Sequence, residues 1–191
     1  LYNIDPAARF ATVTIADVAT VLGLPGILFW HKADALTGIY LEGNAMTAGW
    51  LDSSGLDHQA EAPSFDPPPT FKTNIQNGLP VARVNATSTY LRYPGNEINV
   101  QDTSLTFHVA LNYTTGQAGY GVLIEFYQNF GDGGFLYVDN VNQVGFNTEV
   151  TGDKNLAAAV SGLQILTWVL NKSTQTSTLY RNGISVGTST F

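Results

Sequence analysis

Glu125, in the run GVLIEFYQN, is the acid best placed for general acid–base work. Two carboxylates that cleave a glycosidic bond with retention must stand about 5–5.5 Å apart, which alternate positions on one strand face can provide. The same-face neighbours of Glu125 are Leu123 and Tyr127, so its partner acid is missing. His31, His58 and His108 are far apart and lack the spacing of zinc ligands. The chain contains no cysteine, which excludes thiolate nucleophiles, thiolate metal sites and disulfides. No Ser/His/Asp order is present, and Gly131-Asp132-Gly133-Gly134 reads as a turn rather than a phosphate loop. No catalytic residue is assigned.

What remains is recognition chemistry. His108, Asn112, Glu125 and Tyr127 fall on the non-core faces of two strands that look adjacent, and together they offer an aromatic platform, an amide, a carboxylate and an imidazole to a sugar. Trp50 and Tyr90 stand near loops. Each has a plainer role at hand, since Tyr and Trp of a β-sandwich mostly pack core and rim.

The elements that must position these residues follow from the period of the apolar residues. In LTFHVALNYTTG, Leu105, Phe107, Val109, Leu111 and Tyr113 share one face, and Thr106, His108, Ala110 and Asn112 share the other. LQILTWVLN puts Leu166, Trp168 and Leu170 on one side. ILFWHKADAL reads as a strand, and FLYVDNVNQVGF reads as a hairpin over Asp139-Asn140. LPVARVNATSTYLRYP reads as two short strands around an Asn-Ala-Thr-Ser turn. The segment from Asn44 to Phe71 is loop-rich, with a proline run that cannot sit inside a sheet. TLYRNGISVGT is a hairpin, because Asn182-Gly183 supplies the two positive-φ residues of a type I′ turn. Many short strands at roughly ten-residue spacing imply an all-β antiparallel sandwich or barrel.

Residues 1–26 differ. Ile15, Val18, Ala19 and Leu22 make one helical face, Thr14 can cap it, Asp17 lies in the first turn, and Gly23 with Pro25 ends it. The segment is expected to be an N-terminal arm with a short amphipathic helix that must dock its apolar side.

Four pieces in order resemble the laminin-G-like branch of the concanavalin A-like lectin/glucanase superfamily. They are ILFWHKADALTG, GWLDSSGLDHQAEAP, PTFKTNIQNGLPVARVNATSTYL and LTWVLNKSTQTSTLYRNGISVGT, spread over roughly residues 27–190. The resemblance implies a two-sheet antiparallel jelly-roll sandwich over residues 27–191. It also implies further strands after the last hairpin, so the open sheet edge is expected to be covered by more chain, by residues 1–26 or by a neighbouring subunit. The E-x-D-x-x-E strand of the superfamily's glucanases has no counterpart here, which sets glycoside hydrolysis aside as a minor reading. Laminin-G-like modules often bind calcium at one rim. Asp139, Asn140 and Asn142, with Asp132 in a neighbouring turn, offer oxygens for it, but an Asp-Asn hairpin tip already accounts for them. No cofactor is required and no metal ligand is assigned.

Composition narrows the partners. Charged residues are 12% of the chain, about half the usual share, and Thr, Ser, Asn and Gly take their place. A net charge of −7, with eight scattered Lys and Arg, argues against nucleic acid. No run is long and apolar enough for a membrane span. Sequons at Asn85, Asn112 and Asn171 are of the number chance supplies in so Asn-, Ser- and Thr-rich a chain. The expected function is a non-enzymatic module of an extracellular or virion surface. It would be a virion structural protein (capsid decoration or tail) that forms a homo-oligomer or contacts other surface proteins through residues 1–26 and the open edge. The alternative is a carbohydrate-binding or adhesion domain with a glycan as partner.

Overall fold

The computed structural model of the chain describes residues 26–62, 64–84, 89–93, 104–115, 121–126, 134–139, 142–148 and 152–190. The helix expected over residues 15–22 lies outside them, as do Tyr127, Asp132 and Asn140. The described chain is mostly β, with antiparallel sheets and almost no helix beyond a 3₁₀ turn at Asp34–Leu36.

A hairpin comes first, β1 (Thr70–Gln76) with β2 (Leu79–Arg83). Two four-stranded sheets follow. One contains β3 (Leu105–Tyr113), β8 (Gly162–Asn171), β9 (Thr176–Arg181) and β10 (Ile184–Thr190) in the order β10-β9-β8-β3. The other is a meander of β4 (Gly121–Phe126), β5 (Gly134–Val138), β6 (Gln143–Thr148) and β7 (Gly152–Ala158).

Alternation in β3 and β8 drives the layering. Leu105 and Phe107 are buried while Thr106, His108, Ala110 and Asn112 are exposed. Leu166, Trp168 and Leu170 are buried on β8, as the sequence pattern requires. They meet Leu136, Val138, Val144 and Phe146 from the second sheet in one core. Trp168 lies 5.5 Å from the Phe107 ring and 5.7 Å from Phe146, so its indole bridges the two layers. Its Nε1–H donates to the fully buried Ser177 hydroxyl at 2.5 Å, which satisfies both buried groups. The inner face of this sandwich-like arrangement ends in a polar clamp, where Arg181 donates to Gln164 Oε1 and to the Ala158 carbonyl at the end of β7.

Strand β10 also touches β7 edge to edge. A Cβ built on Gly187 would fall 2.0 Å from the Leu156 carbonyl oxygen. Both strands are irregular there, β10 between Ser185 and Gly187 and β7 where it faces Val144 and Gly145. The bulges let two twisted edges approach without a full hydrogen-bonded ladder.

At the β3 side, Leu28, Phe29, Trp50, Leu91 and Tyr93 pack on the core. The Phe29 ring lies 6.1 Å from that of Phe107 and 4.7 Å from that of Tyr93. Strand ILFWHKADAL is not formed. Its middle makes one isolated bridge, His31 to Asp52, and its end turns into Asp34–Leu36. The reason lies in the partner: residues 51–59 form a loop closed on the Asp52 side chain, so the backbone of Trp30 meets a carboxylate instead of a strand. Of the second strand expected in LPVARVNATSTYLRYP, the described residues show Arg92 bridged to Glu61.

A side lobe sits beyond this region. Leu36, Tyr40, Met46 and Phe71 form its small core, and Trp50 and Leu91 touch both cores.

Candidate functional site

The two strands expected to share a ligand face belong to different sheets. His108 and Asn112 stand on β3, whereas Glu125 is on β4, opposite Phe135 of β5. The grouping of His108 and Asn112 with Glu125 on adjacent strands is therefore corrected. Sequence alternation fixes the face of each strand but carries no information on which sheet it joins. The Glu125 side chain and all of Tyr127 lie outside the described residues.

His108 and Asn112 do join another set. Register continues from β3 through β8 and β9 to β10. One row runs Thr106, Val169, Thr178, Thr188; the next runs His108, Thr167, Tyr180, Ser185. Ala110 faces Ile165, and Asn112 faces Leu163. Among the described residues this outer face carries no Asp, Glu, Lys or Arg. The His108 Nδ1 is within 2.9 Å of the Thr167 hydroxyl, and the Thr178 and Thr188 hydroxyls are 3.1 Å apart. Leu163 and Ile165 stand about half exposed, at 53% and 46%. The surface is thus uncharged, hydroxyl-rich and studded with aliphatic groups, and cross-strand bonds hold its polar side chains.

A second constellation centres on Asp52, which the sequence offers as the start of an Asx/Ser turn. Asp52 Oδ1 accepts the amides of Trp30 and Ser54 at 2.8 Å each. Its Oδ2 accepts the Ser54 hydroxyl at 2.5 Å and the His58 amide at 3.1 Å. Burial alone would raise the Asp52 pKa, but the Ser54 hydroxyl and these three amides outweigh it and hold the carboxyl below its ordinary range. Around this node His31 Nδ1–H donates to the Leu51 carbonyl at 2.9 Å, and His58 Nδ1 lies 2.5 Å from the Leu28 carbonyl. The Trp50 indole donates to the Lys32 carbonyl at 3.0 Å.

Two histidines distant in sequence are therefore brought to one carboxylate. The His31 ring is enclosed by Phe29, Trp50 and Tyr93, with centroids 5.5–5.8 Å away, and its Nε2 is buried without a partner. Burial lowers the His31 pKa against the opposing pulls of the Leu51 carbonyl and Asp52. Burial, with Asp52 nearby, pushes the Tyr93 phenol well up. This is a structural clasp: a charged side chain organises backbone that cannot pair as a sheet. Its local part is legible in the sequence, where Trp50-Leu51-Asp52-Ser53-Ser54-Gly55 reads as an aromatic anchor before an Asx/Ser turn that pins a long loop, and the Ser54 amide and hydroxyl on Asp52 form that turn.

Of the oxygens considered for calcium, Asp139 and Asn142 share the β5–β6 turn. There Asp139 Oδ1 accepts the Gln143 amide at 2.7 Å, and Asn142 adopts φ +59°. Among the described residues no group of three or more His, Asp or Glu side chains could hold a metal ion. No described helix is long and apolar enough to cross a membrane.

No family model matches the chain, and no curated protein or solved structure shows significant similarity to it. What fold and site define is an antiparallel all-β protein with one uncharged sheet face and a carboxylate-centred clasp.

Proposed function

We propose that the chain is a non-enzymatic assembly or binding module of a surface structure, with a virion structural component, capsid decoration or tail, as the leading reading. The observation that carries it is the uncharged outer face of β10-β9-β8-β3 in a chain of net charge −7. Desolvating hydroxyls and aliphatic groups costs far less than desolvating charges, and depletion of charge marks the centre of protein interfaces. Four strands of this length cover ~500 Å² in projection, less than the ~800 Å² per partner of a standard interface. Neighbouring loops or residues 1–26 would have to extend the contact. A jelly-roll topology and the laminin-G-like resemblance are part of this proposal and rest on the sequence pieces quoted above, and an extracellular or virion-surface location follows from the same reading.

Carbohydrate binding is the second reading, favoured by His108 and Tyr180 in one row and Asn112 two rows along, beside exposed threonines. Light scattering on the purified chain separates the two. Assembly predicts an oligomer that Ile165→Glu converts to monomer. A wild-type monomer that binds a glycan array, with binding lost in His108→Ala, would replace assembly by the lectin reading.

A further inference from the structure

Residues 28–32 lie across the clasp with one isolated bridge, His31 to Asp52, in place of a strand ladder. Five hydrogen bonds tie them to a single loop, residues 50–58. The Trp30 amide donates to Asp52 Oδ1 at 2.8 Å, and the Trp30 carbonyl accepts the Ser53 amide at 2.6 Å. The Lys32 carbonyl accepts the Trp50 indole. The two histidines reach across in opposite directions. His31 Nδ1 donates from the segment to the Leu51 carbonyl, and His58 Nδ1 donates from the loop to the Leu28 carbonyl.

A carbonyl acceptor fixes the His31 proton on Nδ1, so the neutral ring turns a bare lone pair at Nε2 into the cage of Phe29, Trp50 and Tyr93. A second proton would put an N–H on Nε2, which is buried and has no partner there. A buried, charged donor without an acceptor is costly. Asp52 attracts the charge, but its oxygens accept from Trp30, Ser54 and His58, and neither bonds Nε2. Burial keeps the Tyr93 phenol neutral. Lys32 in the segment, Arg92 next to Tyr93, and His58 on the loop bring no further negative charge. Burial accordingly holds the His31 pKa below its ordinary value.

We propose that residues 28–32 are an acid-released strap, with the His31 imidazole as the group that senses the proton. Once the strap lifts, the ring meets water and takes up its proton near the ordinary pH of 6.5. Each pH unit between that value and the lower one of the closed strap moves the balance towards open by up to tenfold. Above pH 6.5 both forms are neutral and the balance is flat. Release uncovers apolar surface. Phe29 leaves Tyr93 and Phe107, which are 7% and 5% exposed in the closed form. Trp50, which packs against both cores, loses the Lys32 carbonyl that holds its indole. The strap is a different surface from the β10-β9-β8-β3 face, so either can fail without the other.

Hydrogen exchange of the full chain tests this, read by mass spectrometry from about pH 7.5 to about pH 5 and corrected for the intrinsic rate at each pH. Opening in peptides covering residues 28–32 and 51–58 is expected to be flat above about pH 7 and to rise by up to about tenfold per unit below 6.5. Peptides from the interior of β8 should stay protected throughout. His31→Gln, uncharged at every pH, should remove the rise, and His108→Gln, on the outer sheet face, should keep it. His58→Gln loses the bond to the Leu28 carbonyl and should open the strap further at every pH with the rise intact. The wild-type profile decides even where a variant does not fold. The proposal is overturned if strap exchange in the wild type is independent of pH, if β8 opens in step with it, if the rise survives His31→Gln, or if His58→Gln or His108→Gln abolishes it.

Discussion

Replacing Asp52 tests the clasp directly. Asp52→Ala removes the acceptor for the amides of Trp30, Ser54 and His58 and for the Ser54 hydroxyl. A hydrogen bond to a charged acceptor contributes ~1.5–3 kcal/mol net when buried. This carboxylate is partly open to water, which screens it and can replace the local Ser54 contacts. The Trp30 and His58 amides, which join distant chain, are harder to resatisfy. The expected loss is therefore ~3 kcal/mol, a large share of the ~5–15 kcal/mol typical of a domain, and a fall in Tm of ~6–12 °C for a chain of this size. Asp52→Asn keeps one oxygen for Trp30 and Ser54 but turns an NH₂ towards the His58 amide, so about half the loss is expected. Thermal melts at pH 7 with urea titrations check both variants. The sign with pH is fixed by the depressed folded pKa. The carboxylate's stabilisation is fully present above the ordinary 3.8 and is lost as pH falls through the lower folded value, so wild type and Asp52→Asn should converge in acid. Asp52→Ala within ~0.5 kcal/mol of wild type, or Asp52→Asn as damaging as Asp52→Ala, would refute the account.

Two further outcomes follow from the same structure. Gly187→Ala forces a Cβ to within 2.0 Å of the Leu156 carbonyl oxygen and 2.7 Å of its carbon, both backbone atoms. It should cost ~2 kcal/mol or more by overpacking, read as a lower urea midpoint. His31 has its folded pKa lowered, so its neutral form is the one the fold accommodates. Stability should be complete above pH ~6.5 and decline below it as the unfolded chain takes up the proton first. His31→Gln should flatten that limb of the pH–Tm curve.

How far the fold was legible depends on what each residue answers to. Trp168 and its neighbours on β8 obey a period of two that is written locally, and their burial follows from it. The sheet membership of β3 and β4 is not local, which is why His108 and Glu125 looked adjacent and are not. Residues 27–36 carry strand-like apolar residues but meet a loop closed on Asp52, so tertiary context overrides propensity. The β1–β2 hairpin carries the same local signal, since Asn77-Gly78 is the same pair as Asn182-Gly183, but it follows a long loop-like segment in which prolines dominate. The Asx/Ser turn at Asp52 is local and legible, whereas the two histidines converge on it only through the fold.

These twin turns permit a comparison in which backbone strain cancels. Asn77 and Asn182 both have φ +51°, each followed by a positive-φ glycine, and each closes a two-residue hairpin, Gln76 to Leu79 and Arg181 to Ile184. Alanine at either site must take up left-handed backbone, at ~1 kcal/mol relative to asparagine. Asn182 has a further role, because its Oδ1 accepts the Ile165 amide and its own amide donates to the Ile165 carbonyl, each at 2.8 Å. That pair of bonds stitches the β9–β10 turn onto β8, beside the outer-face residue Ile165. Asn182→Ala keeps the backbone bond, loses the side-chain one and should cost ~2 kcal/mol, against ~1 kcal/mol for Asn77→Ala. Amide exchange at Ile165 should quicken only in Asn182→Ala. Equal costs, or unchanged exchange at Ile165, would mean that turn strain alone holds these hairpins and that the side chain of Asn182 contributes nothing to the edge of the sheet face.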